Sequence, residues 1–244
     1  MKTGASSTPL LADAPPTGIA RWVREPFCGL SHAFGAVAAV LGLIALLTFA
    51  PDRAALKVSL AIYGVSMIGV FAASAAAHSL HASAGVIDWL DRLDRAAIFF
   101  FIAGTYTPIC LSVLWGSYGV TILWIEWVLA IVGAAAVLHP RGPRQWLVLL
   151  YVPMGWLVVM AVPGLIGDGH GRGVMWLVLG GIAFTAGAVV FATQRPRLWP
   201  GRFGWHDLWH TMVLIGAACH FAAIWEFTIV ARGKTLTSLI NQML

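Results

Sequence analysis

The sequence predicts an all-α, polytopic membrane protein: a bundle of seven transmembrane helices with its N-terminus in the cytoplasm. Two compositional observations and one pattern lead to this fold class. Of the 244 residues, 59% are hydrophobic and only 10% are charged, whereas soluble domains carry about 25% charged residues. The mean hydropathy is +0.84. The apolar residues form seven stretches of the length that a helix needs to cross a hydrocarbon core, about 20 residues. We therefore expect a multi-pass protein of the cell membrane, which in a bacterium is the inner, or plasma, membrane.

The seven stretches are separated by short segments rich in proline, glycine and charge. They cover roughly residues 28–50, 54–77, 95–115, 118–138, 144–163, 172–193 and 206–231. Such runs are too long for barrel strands, and only helices or closed barrels satisfy every backbone group in lipid. The loop from Ser79 to Asp94 mixes apolar with acidic residues, which predicts a short amphipathic segment on the membrane surface.

Basic residues set the predicted orientation, since Lys and Arg concentrate on the cytoplasmic side. Ten of the 15 fall in the N-terminus and in the loops on the same side of the bundle, and five fall on the other side. This predicts residues 1–24 as a flexible cytoplasmic tail, 25–232 as the transmembrane domain and 233–244 as a short extracytoplasmic tail.

Charge and cysteine content exclude several function classes. The net charge is +5, and no run of Lys or Arg resembles a nucleic-acid-binding surface. Cys28, Cys110 and Cys219 have no paired spacing, so they indicate neither a disulfide framework nor a CxxC knuckle. We interpret all three as small core residues.

Ionisable side chains inside a membrane bundle are costly and therefore call for a reason. Five polar side chains fall at span ends that the topology places on the cytoplasmic side: Ser74, His78, Asp94, His206 and His210. His206 and His210 are four residues apart, so both project from one helix face, and Ser74 and His78 have the same spacing.

This pattern is typical of a transition-metal site. Three neutral imidazoles and one water make a tetrahedral Zn²⁺ site with an open position. Asp94 could then accept a hydrogen bond from the water, and Ser74 could orient it or a ligand. The alternative interpretation is that each histidine is an ordinary polar residue at the membrane interface rather than a metal ligand.

Three further buried candidates have open roles. His220 lies ten residues beyond His210, about 15 Å deeper along a helix, too far to bind the same ion. His32 lies one turn inside the first span and either lines the same cavity or packs in the core. Glu126, between Trp124 and Trp127, is an interhelical partner, a functional carboxylate or a residue closer to the interface.

The residues that carry this pattern resemble those of the hemolysin III family, bacterial members of the progestin and adiponectin receptor group, which is related to the alkaline ceramidases. The resemblance runs from about residue 25 to 230 and rests on five segments: EPFCGLSHAFGA (25–36), SAAAH (74–78), LDRAAIFFFIAGTYTP (93–108), MGW (154–156) and HDLWHTMVLIGAACHF (206–221). It implies seven helices and Zn²⁺ held by His78, His206 and His210. Ala77 and Arg95 depart from residues common in the family.

These observations lead to one main hypothesis and two alternatives. The main hypothesis is a zinc-dependent hydrolase of an amide or ester bond in a membrane lipid, with Asp94 as general base; ceramide-like amides are what the resemblance implies. The first alternative is a non-catalytic receptor or sensor in which zinc is structural. The second is a membrane-perturbing, cytolysin-like protein, although no line of charges crosses the bilayer as in a pore.

Overall fold

The computed structural model describes residues 18–114, 116–139, 150–196, 198–199 and 203–230. Within these ranges the chain is helical and contains no strand, only an isolated β-bridge between Trp199 and Phe203. Long helices are α1 (Pro26–Phe49), α2 (Ala54–Ser79), α3 (Ala84–Ser112), α4 (Ser117–Leu138), α7 (Gly171–Thr193) and α8 (Trp205–Trp225). These six are long and apolar enough to cross a membrane. The predicted all-α membrane bundle is therefore confirmed.

The fifth predicted span is the least regular. Its first residues, 144–149, lie outside the described ranges. The rest forms a shorter apolar helical stretch, Tyr151–Gly167. It consists of α5 (Tyr151–Trp156), a 3₁₀ segment (Leu157–Ala161) and α6 (Val162–Gly167). The prolines at positions 153 and 163 lack the backbone N–H that a continuous helix uses, which explains why this predicted span is divided into short segments.

The third helix begins earlier than predicted. The segment expected to lie on the membrane surface is instead the first part of α3, which starts at Ala84 rather than near residue 95. Arg92 explains this continuity because its guanidinium reaches Asp88 one turn back, at 3.0 Å, and the carbonyl of His139 at the end of α4, at 2.7 Å. Acidic and basic residues that indicate a loop by composition here stabilise a helix.

The start of α1 is fixed to the end of α2 through the backbone. The last carbonyls of a helix have no partner within it, and here two of them accept hydrogen bonds from the segment before α1. The N–H of Glu25 donates to the carbonyl of His78 at 2.8 Å, and that of Arg24 to Ser79 at 3.2 Å. Pro26 then occupies the first turn of α1, where a missing N–H costs nothing.

A glycine allows this close approach. A Cβ atom at Gly29 would collide with the hydroxyl of Ser79, so a larger residue would push α1 away from the end of α2. The result is that the first turn of α1, the last turn of α2 and the first turns of α8 meet at one end of the bundle.

Candidate metal centre

Four potential metal donors converge where α1, α2 and α8 meet. They come from Cys28, His78, His206 and His210, and one ligand atom from each lies within 4.8 Å of all the others. Cys28 and His210 are each 2% exposed. His206 is the more open member, with a side chain that is 33% exposed. The group therefore combines imidazole nitrogen with sulfur at a place that is buried on one side and open at His206.

Helix geometry explains how the three rings meet. His206 and His210 lie one turn apart in α8, and their Nε2 atoms are 3.3 Å from each other. The ring of His78, at the end of α2, is 5.0 Å from that of His206 and 4.6 Å from that of His210, centre to centre. The three histidines that the sequence placed at one level are thus adjacent.

Glu25 orients His78 from outside the cluster. Its Oε2 accepts a hydrogen bond from Nδ1 of His78 at 2.8 Å and lies 3.6 Å from Nδ1 of His206. These two imidazole contacts hold the pKa of the Glu25 carboxyl well below its usual range. With Nδ1 occupied, the free nitrogen of His78 is Nε2. A carboxylate behind a ligating histidine is the usual way to fix ring orientation and tautomer.

His32 has the same relation to His210. A ring nitrogen of His32 lies 3.0 Å from Nδ1 of His210, so one of the two donates and the other accepts. His32 is itself held by an edge-to-face contact with Phe71, with ring centres 5.2 Å apart. The interaction leaves Nε2 of His210 turned towards His206. His32 thus contacts the histidine cluster directly through His210, but it is not among the residues that line the two spaces beside the cluster.

Cys28 is linked to the start of α8. Its thiol donates to Oδ1 of Asp207 at 3.3 Å, while Oδ2 of Asp207 accepts the backbone N–H of Gly204 at 2.7 Å. Asp207 thus caps α8 and contacts the cysteine at once. Cys28 is buried, as predicted for a small core residue. Its sulfur also lies within 4.8 Å of a donor nitrogen of each of the three histidines, which the sequence did not indicate.

The two remaining predicted residues lie beside the histidines. Oδ2 of Asp94, in α3, is 3.7 Å from Nε2 of His78. Ser74 lies one turn before His78 on α2 and is 1% exposed. Its hydroxyl oxygen has no hydrogen-bond partner among the described residues. A buried hydroxyl without a partner is unfavourable, so this oxygen is available to a ligand.

A polar cleft and an apolar cavity adjoin the cluster. The cleft has a volume of about 160 Å³ and is lined by charged residues of the chain before α1 and of α3 together with His78 and His206. The cavity, of about 80 Å³, is lined by apolar side chains of α2, α3, α5, α7 and α8. Ile98, Tyr151 and Trp209 line both. The polar space at the histidines and the apolar space inside the bundle thus lie side by side, with these three side chains between them.

Other candidate residues lie elsewhere. His220 lines the apolar cavity, with its ring 5.2 Å from that of Phe184, and is not one of the four clustered donors. His81 is exposed beyond the end of α2. Glu126 is 0% exposed in α4, and neither of its carboxylate oxygens has a hydrogen-bond partner in the described part of the chain.

Sequence reasoning missed Glu25, Cys28 and Asp207. Two weak signals were present. Glu25 and Cys28 lie one turn apart, as do Cys28 and His32, so all three fall near one face of the first helix. Asp207 lies next to His206 and three residues after Gly204, a position typical of a capping carboxylate.

The donor set fits a transition metal. Imidazole and thiol groups suit Zn²⁺ and its neighbours better than Mg²⁺ or Ca²⁺, which prefer oxygen ligands. The orientation of the rings by Glu25 and His32 is what such a site requires. Cys28, His78, His206 and His210 thus form a group that can hold a metal ion.

Comparison with known proteins agrees with this architecture. Residues 20–221 match the family described as Haemolysin-III related. Hemolysin-3 of Bacillus cereus is 34% identical over 212 residues, covering 85% of this chain and 94% of that protein. The Hemolysin-3 homolog of Bacillus subtilis (strain 168) is 33% identical over 200 residues, or 80% and 90% of the two chains.

The similarity extends to animal proteins. The human monocyte to macrophage differentiation factor is 27% identical over 202 residues, covering 81% of each chain. The family match over residues 20–221 includes all of α1, α2 and α3 and the histidine pair of α8, so it covers every element that contributes to the cluster. The chain is therefore a multi-pass membrane protein of the hemolysin III family.

Proposed function

We propose that this protein is a zinc-dependent hydrolase that cleaves an amide or ester bond in a membrane lipid at the cytoplasmic leaflet. The observation that carries the proposal is the convergence of three oriented imidazoles and a carboxylate at the junction of a polar cleft and an apolar cavity. Metal ligands alone would suit a structural site, whereas a carboxylate beside them and a space for an acyl chain suit catalysis on a lipid.

His78, His206 and His210 would hold the ion, with Glu25 and His32 fixing the rings of His78 and His210. A Zn²⁺ ion in such a site polarises a carbonyl group and lowers the pKa of water towards about 7. All other steps fall to the chain's own side chains.

Asp94 is placed to move the proton. Its carboxylate lies on the Nε2 side of His78, 3.7 Å away, and lines the polar cleft. In this role it takes a proton from the attacking water and later delivers it to the leaving nitrogen or oxygen. Ser74 supplies a buried hydroxyl without a partner, which is available to orient the water or the carbonyl group.

The two adjoining spaces fit the two parts of a lipid. The cleft, lined by Arg24, Asp91 and Arg95 among others, accepts a polar headgroup, and the apolar cavity behind it accepts an acyl chain. Ile98 and Tyr151, which line both spaces, would lie beside the scissile bond. A ceramide-like amide has this division into polar and apolar parts.

The test uses the full-length protein, purified and reconstituted in lipid. Metal analysis should find about one zinc per chain, and His206→Ala/His210→Ala should lose it, whereas the control His81→Ala should keep it. The loaded protein is then incubated with ceramides and other lipid amides and esters. Asp94→Ala should retain zinc and lower turnover by about 10²- to 10⁴-fold. As a control, Asp168→Ala alters a carboxylate between α6 and α7, away from the histidine cluster. It should leave turnover unchanged.

One observation favours a second function. Cys28 adds a fourth donor to the three histidines, and closed four-donor zinc sites are typically structural. The protein would then be a receptor or sensor in which zinc joins α1, α2 and α8. Zinc retained with no turnover on any lipid of the panel would overturn the hydrolase and support this second function. Absence of zinc from the parent protein would overturn both.

A further inference from the structure

We infer that Cys28 is an exchangeable fourth ligand of the metal centre: its sulfur closes the coordination in the resting protein and must leave before a substrate can bind. This inference rests on the proposed function, since it regulates the same site. It differs from both candidate functions above, because it makes the site alternately closed and open rather than permanently one or the other.

The position of the sulfur carries the inference. It lies within 4.8 Å of the donor nitrogens of His78, His206 and His210. In a tetrahedral zinc site, bond lengths of about 2.3 Å to sulfur and about 2.0–2.1 Å to nitrogen separate the donor atoms by about 3.3–3.6 Å. A change of about 1 Å closes that difference, which side-chain rotation supplies without moving the helices.

The thiol of Cys28 also has an alternative partner. Its thiol donates to Oδ1 of Asp207, a carboxylate fixed by its bond to the backbone of Gly204. If the sulfur turned to a bound metal as thiolate, the proton of its S–H bond would pass to Oδ1 of Asp207, its present hydrogen-bond partner. When the sulfur leaves, it takes the proton back. Both states therefore satisfy the cysteine, which is what an exchangeable ligand requires.

The other buried cysteine shows how an ordinary core cysteine differs. Cys110 lies in the main hydrophobic cluster among Ile109, Tyr106 and residues of the neighbouring helices. It is fully buried and is not one of the clustered donors. Two cysteines of similar burial therefore have different surroundings, and Cys110 serves as the matched control.

X-ray absorption at the zinc edge tests the inference directly. The full-length protein is loaded with Zn²⁺ in the absence of lipid substrate. We expect one sulfur neighbour at about 2.3 Å beside nitrogen neighbours at about 2.0–2.1 Å. The sulfur signal should vanish in Cys28→Ser and persist in Cys110→Ser. Co²⁺ gives a second reading, because a thiolate ligand adds a near-ultraviolet charge-transfer band that Cys28→Ser should remove.

The zinc affinity and the turnover complete the test. Cys28→Ser should bind zinc about 10-fold or more weakly, yet, at saturating zinc, turn over lipid faster than the parent because its site no longer closes. Addition of a substrate or a carboxylic acid product should diminish the sulfur signal of the parent protein.

Each outcome has a distinct meaning. A parent protein with one zinc per chain and only nitrogen or oxygen neighbours would overturn the role of Cys28 and leave the histidine site standing. A sulfur signal that substrate does not diminish, with no gain of turnover in Cys28→Ser, would show a permanent ligand and overturn the exchange. A parent that binds no metal would instead overturn the proposed function itself. The spectrum of the parent is informative even if Cys28→Ser fails to fold.

Discussion

Two glutamates illustrate how different the surroundings of a carboxyl group are at one end of this bundle and in its interior. Glu25 lies at the metal centre, where His78, His206 and Arg24 surround it. Glu126 lies within α4, fully buried, with no hydrogen-bond partner in the described ranges. The helices beside it pack through apolar contacts, such as that between Phe99 and Tyr151.

The contrast shows where in this fold polar side chains find hydrogen-bond partners. At the end of the bundle, several polar groups satisfy one another, so each is held in one geometry. In the interior of α3, α4 and α5, stability comes from close packing, since lipid offers no hydrophobic driving force between helices. Substitutions in the two regions should therefore affect different measurements.

The largest effect is expected from Phe99→Ala. Phe99 is 0% exposed and its ring lies 4.6 Å from that of Tyr151, so truncation leaves a cavity. We expect a loss of about 3–5 kcal/mol, seen as a lower thermal unfolding midpoint in lipid nanodiscs, with zinc affinity unchanged. Its neighbour Phe100, 36% exposed, provides the control, and Phe100→Ala should cost less than about 0.5 kcal/mol. A parallel loss of zinc affinity in Phe99→Ala would break the separation of the two regions.

Glu25→Gln should have the opposite effect: zinc affinity should fall, while the stability of the protein should change little. The amide oxygen can still accept the N–H of Nδ1 of His78, but it carries no charge and holds the ring more weakly. We therefore expect zinc affinity to fall about 10- to 100-fold. A chelator competition assay measures this, and the unfolding midpoint of the metal-free protein should change little. Asp91→Asn removes another carboxylate of the same cleft and should weaken binding far less. Equal effects of the two substitutions would mean that only the net charge of the cleft matters.

Glu126→Leu tests the interior of the bundle, where the carboxyl group has no hydrogen-bond partner among the described residues. Removal of a buried carboxyl without partners should raise stability by about 1 kcal/mol and leave zinc content as it is. The measurement is the same thermal unfolding. A less stable variant would contradict the description of Glu126 as unpartnered.

The smallest effect is expected at the ion pair between Arg172 and Glu226, which are 3.0 Å apart at the end opposite to the metal centre. The side chain of Arg172 is 67% exposed, so solvent screens the pair. Arg172→Ala should change stability by about 0–1 kcal/mol. A larger loss would show that this end also depends on polar contacts.

Most of the fold could be predicted from the sequence because each membrane-spanning helix appears there as a continuous apolar run of about the same length. The boundaries of α1, α2, α4 and α7 agree with prediction within about two residues. α3 was misjudged because charges were taken to end a helix, although Arg92 and Asp88 pair along it. The fifth span was predicted as an apolar helical stretch, which is present at Tyr151–Gly167. Its division into short segments was not predicted, because hydropathy alone does not register the two prolines.

The site could be predicted where its residues are regularly spaced along one helix. The spacing of His206 and His210 is visible in the sequence, and charge counting brings His78 and Asp94 to the same level. Glu25 and Cys28 could not be found in this way. They reach the histidines only because the backbone of residues 24 and 25 bonds to the end of α2, which is a tertiary contact without a periodic signature.

The length of α3 has a consequence for access to the site. Its 29 residues span about 44 Å at 1.5 Å per residue, whereas the hydrocarbon core is about 30 Å thick. The helix therefore rises beyond the acyl chains on the side of the histidines. Asp94, the eleventh residue of α3, then lies at the depth of the lipid headgroups. Under the proposed function, water and a polar product would exchange with the aqueous phase there without a channel, while a fatty product would stay in the bilayer.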